Sequence, residues 1–179
     1  ATMVSPRGAL AAWSEATPQQ PAGPFYAPFK PLSIDNDLVL LPGHTQAAAG
    51  QVIHVGGRVL DQTGEAIAGA RVEIWQANTH GRYNYPRHRN SRLPLDPNFQ
   101  GFGHDSTDAG GAYGFRTIKP GPYPDSLRWI RPPHIHFLVV PPAGAPWTTQ
   151  MYFAGEALND TDFLLNAIPA EARPRVVMP

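Results

Sequence analysis

The 179-residue sequence contains no cysteine. This removes disulfides, thiolate-held zinc, iron–sulfur clusters and cysteine nucleophiles, and leaves His, Asp, Glu and Tyr as possible metal ligands. It also has no excess charge of either sign, since 14 basic residues balance 14 acidic ones. Such a chain has no general attraction to nucleic acid or to an anionic membrane, and any selectivity for an anionic ligand must come from local charges. No apolar run approaches the roughly 20 residues of a membrane-spanning helix. The first twelve residues include Ala9-Leu10-Ala11-Ala12 without the basic-then-apolar pattern of an export signal, so the expected location is cytoplasmic. There is no internal repeat.

Proline and glycine are plentiful, at 21 and 17 residues. They cluster between short apolar runs, the composition of an all-β domain with stiff loops rather than of a disordered chain. A hydrophobic content of 42% supplies a packed core, and the length suits one domain. Strands are expected at 52–60, 70–77, 112–118, 134–140 and 148–153, with turns at 61–64 and 106–111. In the second strand Val72, Ile74 and Gln76 face one way, and Arg71, Glu73 and Trp75 the other. Residues 78–104 read as one long functional loop and 119–124 as a rigid one. A short helix is expected over 161–168, capped by Asn159 or Asp160. A weak helical stretch near 8–16 precedes a proline- and aromatic-rich segment at 21–33. The expected architecture is an antiparallel β-sandwich whose long loops carry the site, with a short N-terminal arm. Residues 1–50 form the arm and a pocket segment, residues 51–179 the sandwich, and together they make one structural domain.

Two residue groups invite chemistry. His134-Ile135-His136 lies in an expected strand, where residues i and i+2 share a face, so both imidazoles can reach one ion. The bland alternative is a pair of polar residues on a wet sheet face. Tyr123 sits between prolines in Lys119-Pro-Gly-Pro-Tyr-Pro124, which fixes its backbone, although an ordinary loop tyrosine would look the same. Tyr83 follows a strand end, and spacing alone does not separate it from Tyr85. A phenol has an ordinary pKa of about 10 and is normally neutral, but a trivalent iron is a strong enough Lewis acid to hold it as phenolate. Two phenolates and a hydroxide neutralise Fe(III), and two neutral imidazoles complete five-coordination. A divalent alternative, zinc or ferrous iron with one carboxylate, would draw on Asp105 or Asp108, both of which suit a turn better. Arg131 is either a surface ion pair or a stabiliser of a developing anion. Gln150 carries little weight alone.

The chain resembles the intradiol aromatic-ring dioxygenases, most closely those that cleave protocatechuate, from about residue 55 to 156. The resemblance rests on Val72-Glu-Ile-Trp-Gln-Ala-Asn78, Gly81-Arg-Tyr83, Pro94-Leu-Asp-Pro-Asn-Phe99, Phe115-Arg-Thr-Ile-Lys-Pro-Gly-Pro-Tyr-Pro124, Arg131-Pro-Pro-His-Ile-His-Phe137 and Gln150-Met-Tyr-Phe153. It implies Fe(III) held by Tyr83, Tyr123, His134 and His136. Tyr123 is then the axial ligand that leaves when a catechol binds, and the resemblance selects Tyr83 over Tyr85. It implies a pocket lined by Arg131 and Gln150, and O2-dependent cleavage of a small aromatic diol to a cis,cis-muconate. Two departures stand out. Protocatechuate-cleaving members carry tryptophan directly after Pro-Tyr-Pro, where this chain has Asp125. Those members also receive a Gly-Pro-Phe-like segment from a separate chain. Here Ala22-Gly-Pro-Phe-Tyr26 supplies it, making Gly23, Pro24 and Tyr26 candidate pocket residues and a homo-oligomer the expected assembly. The competing expectation is a non-catalytic sandwich module that binds a ligand or partner, favoured by the generic strand–turn–strand pattern at 56–75.

Overall fold

A computed structural model describes residues 16–26, 35–84, 92–126 and 129–179. Residues 8–15 of the expected helix, residues 27–33 of the expected 21–33 segment, and Tyr85 therefore lie outside the described residues. The strands are β1 (Val52–Arg58), β2 (Arg71–Trp75), β3 (Phe102–Ser106), β4 (Ala112–Ile118), β5 (Tyr123–Ser126), β6 (Trp129–Arg131), β7 (His134–Val140), β8 (Trp147–Phe153) and β9 (Val177–Met178). β1 pairs with β4, and a five-stranded sheet runs in the order β3-β2-β7-β8-β9. β5 and β6 form a separate hairpin.

The two larger sheets meet through alternating side chains. Val55 and Phe115 of the small sheet pack with Val72, Ile74, Ile135, Phe137 and Phe153 of the large one. Strand geometry then throws the intervening residues outward, and in β7 these are His134 and His136. At one end Gln76 stitches the sheets together. Its amide donates to the Ile118 carbonyl at 2.8 Å, and its carbonyl accepts from the Thr117 hydroxyl at 2.8 Å. The turn at 61–64 forms as expected: the Asp61 carboxylate accepts from the Thr63 and Glu65 amides, and Gly64 takes φ of 87°.

The sandwich is all-β as expected, with four corrections in detail. First, β9 pairs with β8 in parallel, because a helical segment carries the chain back across the sheet before it docks. Second, the segment 78–104 is not all loop. Its end belongs to β3, a strand of Phe-Gly-His-Asp-Ser without the alternation that marks β2. Third, Tyr123 opens a strand instead of lying in a rigid loop. Fourth, the expected helix is shorter. A 3-10 turn at Ala157–Thr161 precedes α1 (Phe163–Asn166), and the cap is Asp162, whose side chain accepts from the Leu165 amide.

Candidate metal centre

Tyr83, Tyr123, His134 and His136 converge on the outer face of the large sheet. Both histidines are 2% exposed and both tyrosines 3%. The Tyr83 hydroxyl lies 3.4 Å from His134 Nε2. Ring centroids are 5.4 Å apart for Tyr83–Tyr123, 5.6 Å for Tyr123–His134 and 4.9 Å for His134–His136.

Each side chain is held by a separate device. His134 Nδ1 lies 2.7 Å from the Pro132 carbonyl. A carbonyl only accepts, so Nδ1 carries the proton and Nε2 presents a lone pair. His136 stacks on Trp75 at 5.0 Å and 8°, with Gln150 directly across the strand pair. Tyr83 ends a loop built on Asn78, whose side-chain carbonyl accepts from the His80 and Arg82 amides. The Asn78 backbone carbonyl accepts from the Gly81 and Gly121 amides, tying this loop to the one that leads into Tyr123. Gly81 sits at φ of 81° against the Pro122 carbonyl, where a Cβ would collide.

A roof keeps the outer face dry. Residues 16–21 run along β8: the Gln20 amide donates to the Thr148 carbonyl, and the Thr148 and Thr149 hydroxyls donate to the Gln20 and Pro18 carbonyls. The chain then turns over the histidines. Gly23 lies so close that an added Cβ would stand 3.3 Å from His136 Cε1. Phe25 stacks on Tyr83 at 4.4 Å and meets Tyr123 edge-on at 6.0 Å. The Tyr26 hydroxyl turns the other way and donates to Glu73 at 2.8 Å, beside Trp75.

Burial sets the charge states. It pushes the Tyr83 phenol well above the usual range, with Tyr123 adding to the effect. Tyr123 is also raised by burial, while the nearby Arg131 charge works to favour its phenolate. Burial brings His134 down to about 3, helped by Arg131, and holds His136 well below the usual imidazole range. The polypeptide therefore presents two neutral imidazoles and two protonated phenols.

Arg131 is buried, at 3% exposure, and the surface ion pair is not what forms. Its Nε donates to Asp162 at 2.9 Å, and its Nη2 to Gln150 Oε1 at 2.9 Å and to the Tyr152 hydroxyl at 3.1 Å. Gln150 is likewise committed, with its amide nitrogen donating to the Pro21 carbonyl at 3.0 Å. It braces Arg131 and the arm together.

The donor set suits a trivalent metal. His136 Nδ1 is buried without a hydrogen-bond partner, an unmet demand typical of a ring whose partner is not part of the polypeptide. Among the described residues, no group of three or more His, Asp or Glu side chains is placed to share an ion. Asp105 accepts from the Ser106 and Gly114 amides and Asp108 from the Gly110 and Ala112 amides, so neither offers the carboxylate of a divalent site.

Sequence reasoning did not single out Asp162, Tyr152, Trp75 or Phe25. Asp162 carries a cap signal, standing just before the apolar Phe163-Leu-Leu run. Phe25 lies inside the Gly-Pro-Phe-Tyr segment, of which Gly23, Pro24 and Tyr26 are the expected pocket residues. Trp75 and Tyr152 carry no signal beyond their aromatic character.

The geometry agrees with similarity to known proteins. A family model described as Dioxygenase matches residues 22–178. The protocatechuate 3,4-dioxygenase beta chain of Burkholderia cepacia is 43% identical over 148 residues, covering 80% of this chain and 62% of that one. Catechol 1,2-dioxygenase 2 of Acinetobacter lwoffii is 32% identical over 160 residues, covering 82% and 54%. The chain thus spans between about half and 62% of the length of these relatives. Among solved structures, the dioxygenase domain of a dioxygenase–carbohydrate-binding protein fusion from Streptomyces sp. SirexAA-E superposes with a TM-score of 0.69. It is 32% identical, with 92% of this chain and 88% of that one covered. Catechol 1,2-dioxygenase from Pseudomonas arvilla C-1 superposes at 0.68 with 29% identity, covering 90% and 52%. With its sandwich, its outer-face pair of histidines and its two buried tyrosines, this chain belongs to the intradiol dioxygenase family.

Proposed function

We propose that the chain is a non-haem Fe(III) dioxygenase that cleaves a 1,2-dihydroxybenzene between its hydroxylated carbons, using O2 and giving a cis,cis-muconate. The observation that carries this reading is the meeting of two buried phenols and two neutral imidazoles beside one pinned guanidinium. Tyr83, Tyr123, His134 and His136 would hold the iron. Two phenolates and a hydroxide would balance its three charges. A ferric ion there supplies the Lewis acidity that binds the diol and opens its ring to O2.

The chain's own residues do the rest. The Pro132 carbonyl keeps His134 in the tautomer that presents Nε2. Tyr123, as phenolate, is the base placed to take a proton from an incoming diol hydroxyl. Arg131 sits across the β5–β6 pairing from Tyr123, and its fixed positive charge stabilises negative charge on the phenolate oxygen or the diol. Gly23 and Phe25 close the outer face against water.

The relatives are named for protocatechuate, catechol and hydroxyquinol, and what those compounds share is the vicinal diol. The diol is therefore the substrate feature proposed here. Because residues 22–26 come from the chain itself, the assembly we favour is one of identical copies. The test is ferric reconstitution, followed by iron analysis, visible spectroscopy, and oxygen uptake over a panel of catechols with product identification. A coloured protein yielding intradiol products is expected. A colourless, iron-free protein or an extradiol product would overturn the reading. Replacing Tyr83 and Tyr123 together with Phe should abolish both colour and iron retention, whereas a carboxylate-based divalent site would keep its metal.

A further inference from the structure

Arg131 and Asp162 form an ion pair in which both partners are sealed from solvent, Asp162 being 0% exposed. Such a pair is a poor way to gain stability. Desolvating both charges consumes most of the attraction, and apolar residues of similar volume often do as well. Its geometry suits another role. A guanidinium is planar, so fixing one edge fixes the direction of the rest. Asp162 takes that edge through Nε at 2.9 Å and Nη2 at 3.4 Å. Gln150 and Tyr152 hold Nη2 from the β8 side, and the Trp129 ring lies 5.3 Å from the guanidinium carbon. The guanidinium also interacts with the Tyr123 hydroxyl, favouring its phenolate. The register pairs Arg131 directly with Tyr123, so their side chains leave the β5–β6 hairpin on one face.

We propose that Asp162 is a positioning residue: it aims the Arg131 guanidinium at Tyr123 and the reacting diol, and it couples the C-terminal helical segment to the site. The proposal rests on the reading of the centre as a ferric dioxygenase. Asp162 touches neither substrate nor metal ligand in this scheme. Its carboxylate also caps α1 through the Leu165 amide at 2.8 Å, so a displaced helix would turn the arginine with it.

The test uses iron-loaded wild type, Asp162→Asn, Arg131→Gln and the double variant. Asparagine can still cap the helix but lacks the charge and one acceptor edge. The expected result is that Asp162→Asn keeps its iron, its visible band and an anaerobic catechol affinity within about threefold of wild type, while kcat falls about tenfold or more. Added to Arg131→Gln, it should lower kcat by no more than about twofold, since its effect runs through the arginine. Undiminished kcat in folded Asp162→Asn, or an equal loss in the Arg131→Gln background, would overturn the proposal, as would loss of iron in step with activity. If Asp162→Asn alone fails to fold, the double variant leaves no unpaired buried charge. Agreement with Arg131→Gln then supports the proposal and a further tenfold loss refutes it. Failure of the dioxygenase reading is recognised separately, as wild type that neither colours with iron nor consumes oxygen with any catechol.

Discussion

His134 and His136 share a face but are held differently, and the difference has consequences at the level of single atoms. His134 has its tautomer set by the Pro132 carbonyl, while His136 relies on stacking with Trp75. Both rings are neutral at physiological pH, because burial has lowered their affinity for protons. They therefore release nothing when a metal arrives. The two phenols do, since burial keeps them protonated until the metal displaces their protons. Ferric affinity, measured against a chelator of known proton stoichiometry, should rise by about three log units per pH unit near neutrality, two protons coming from the phenols and one from the water that becomes hydroxide. A slope of about one or less would mean that the tyrosines are not ligands. A second residue-level prediction concerns Phe25, which covers Tyr83 and packs against the buried cluster of Trp75, Tyr83, Phe102 and Tyr123. Phe25→Ala should speed iron removal by a chelator several-fold, on the order of the effect of opening a dry site to water. At this scale the sequence exposed the four donors as types and the His-x-His pair as a geometry. It did not expose Asp162 as the partner of Arg131, because 31 residues separate them and only tertiary packing brings them together.

The elements that carry the donors are joined by backbone. The Asn78 carbonyl binds the Gly81 and Gly121 amides, which brings the Tyr83 loop against the start of β5. Gly81 has a positive φ and faces the Pro122 carbonyl. Gly81→Ala should therefore force the two loops apart, costing about 2–4 kcal/mol of stability by denaturant unfolding. Iron retention should weaken in the same variant. A substitution tolerated in both assays would show that the loops do not set the Tyr83–Tyr123 distance. β2 and β7 were readable because alternation and apolar runs are what such strands look like. β3 was not, since Gly103, His104 and Asp105 break the pattern, and the strand forms because β2 offers it a neighbour. β5 was hidden by Pro122 and Pro124, which read as loop signals. Its hairpin with β6 lies apart from both larger sheets, where a proline is tolerated.

Across the whole molecule, the site draws on the arm, the Tyr83 loop, the β5–β6 hairpin, three strands of the large sheet and the C-terminal helical segment. Gln20 contacts Tyr152 at a separation of 132 residues, Thr149 contacts Pro18 at 131, and Arg175 reaches the Ala16 carbonyl at 159. That the fold is a sandwich was legible from strand spacing. That both ends of the described chain converge on β8 was not, because distant polar contacts leave no local pattern. Contacts of such range form slowly, since loop closure must be achieved before they contribute anything. In a refolding experiment with ferric ion present, strand signal in the far ultraviolet should therefore return before visible colour, and equal rates would contradict this order. A nascent chain exposes Tyr83, Tyr123, His134 and His136 well before Asp162 can reach Arg131. The arm, although synthesised before β8, has nothing to lie on until that strand exists. Metal capture would then act as a late checkpoint on biosynthesis: only a chain whose arm and C-terminal helical segment have both docked holds its ion, and the ion in turn makes that closure harder to undo.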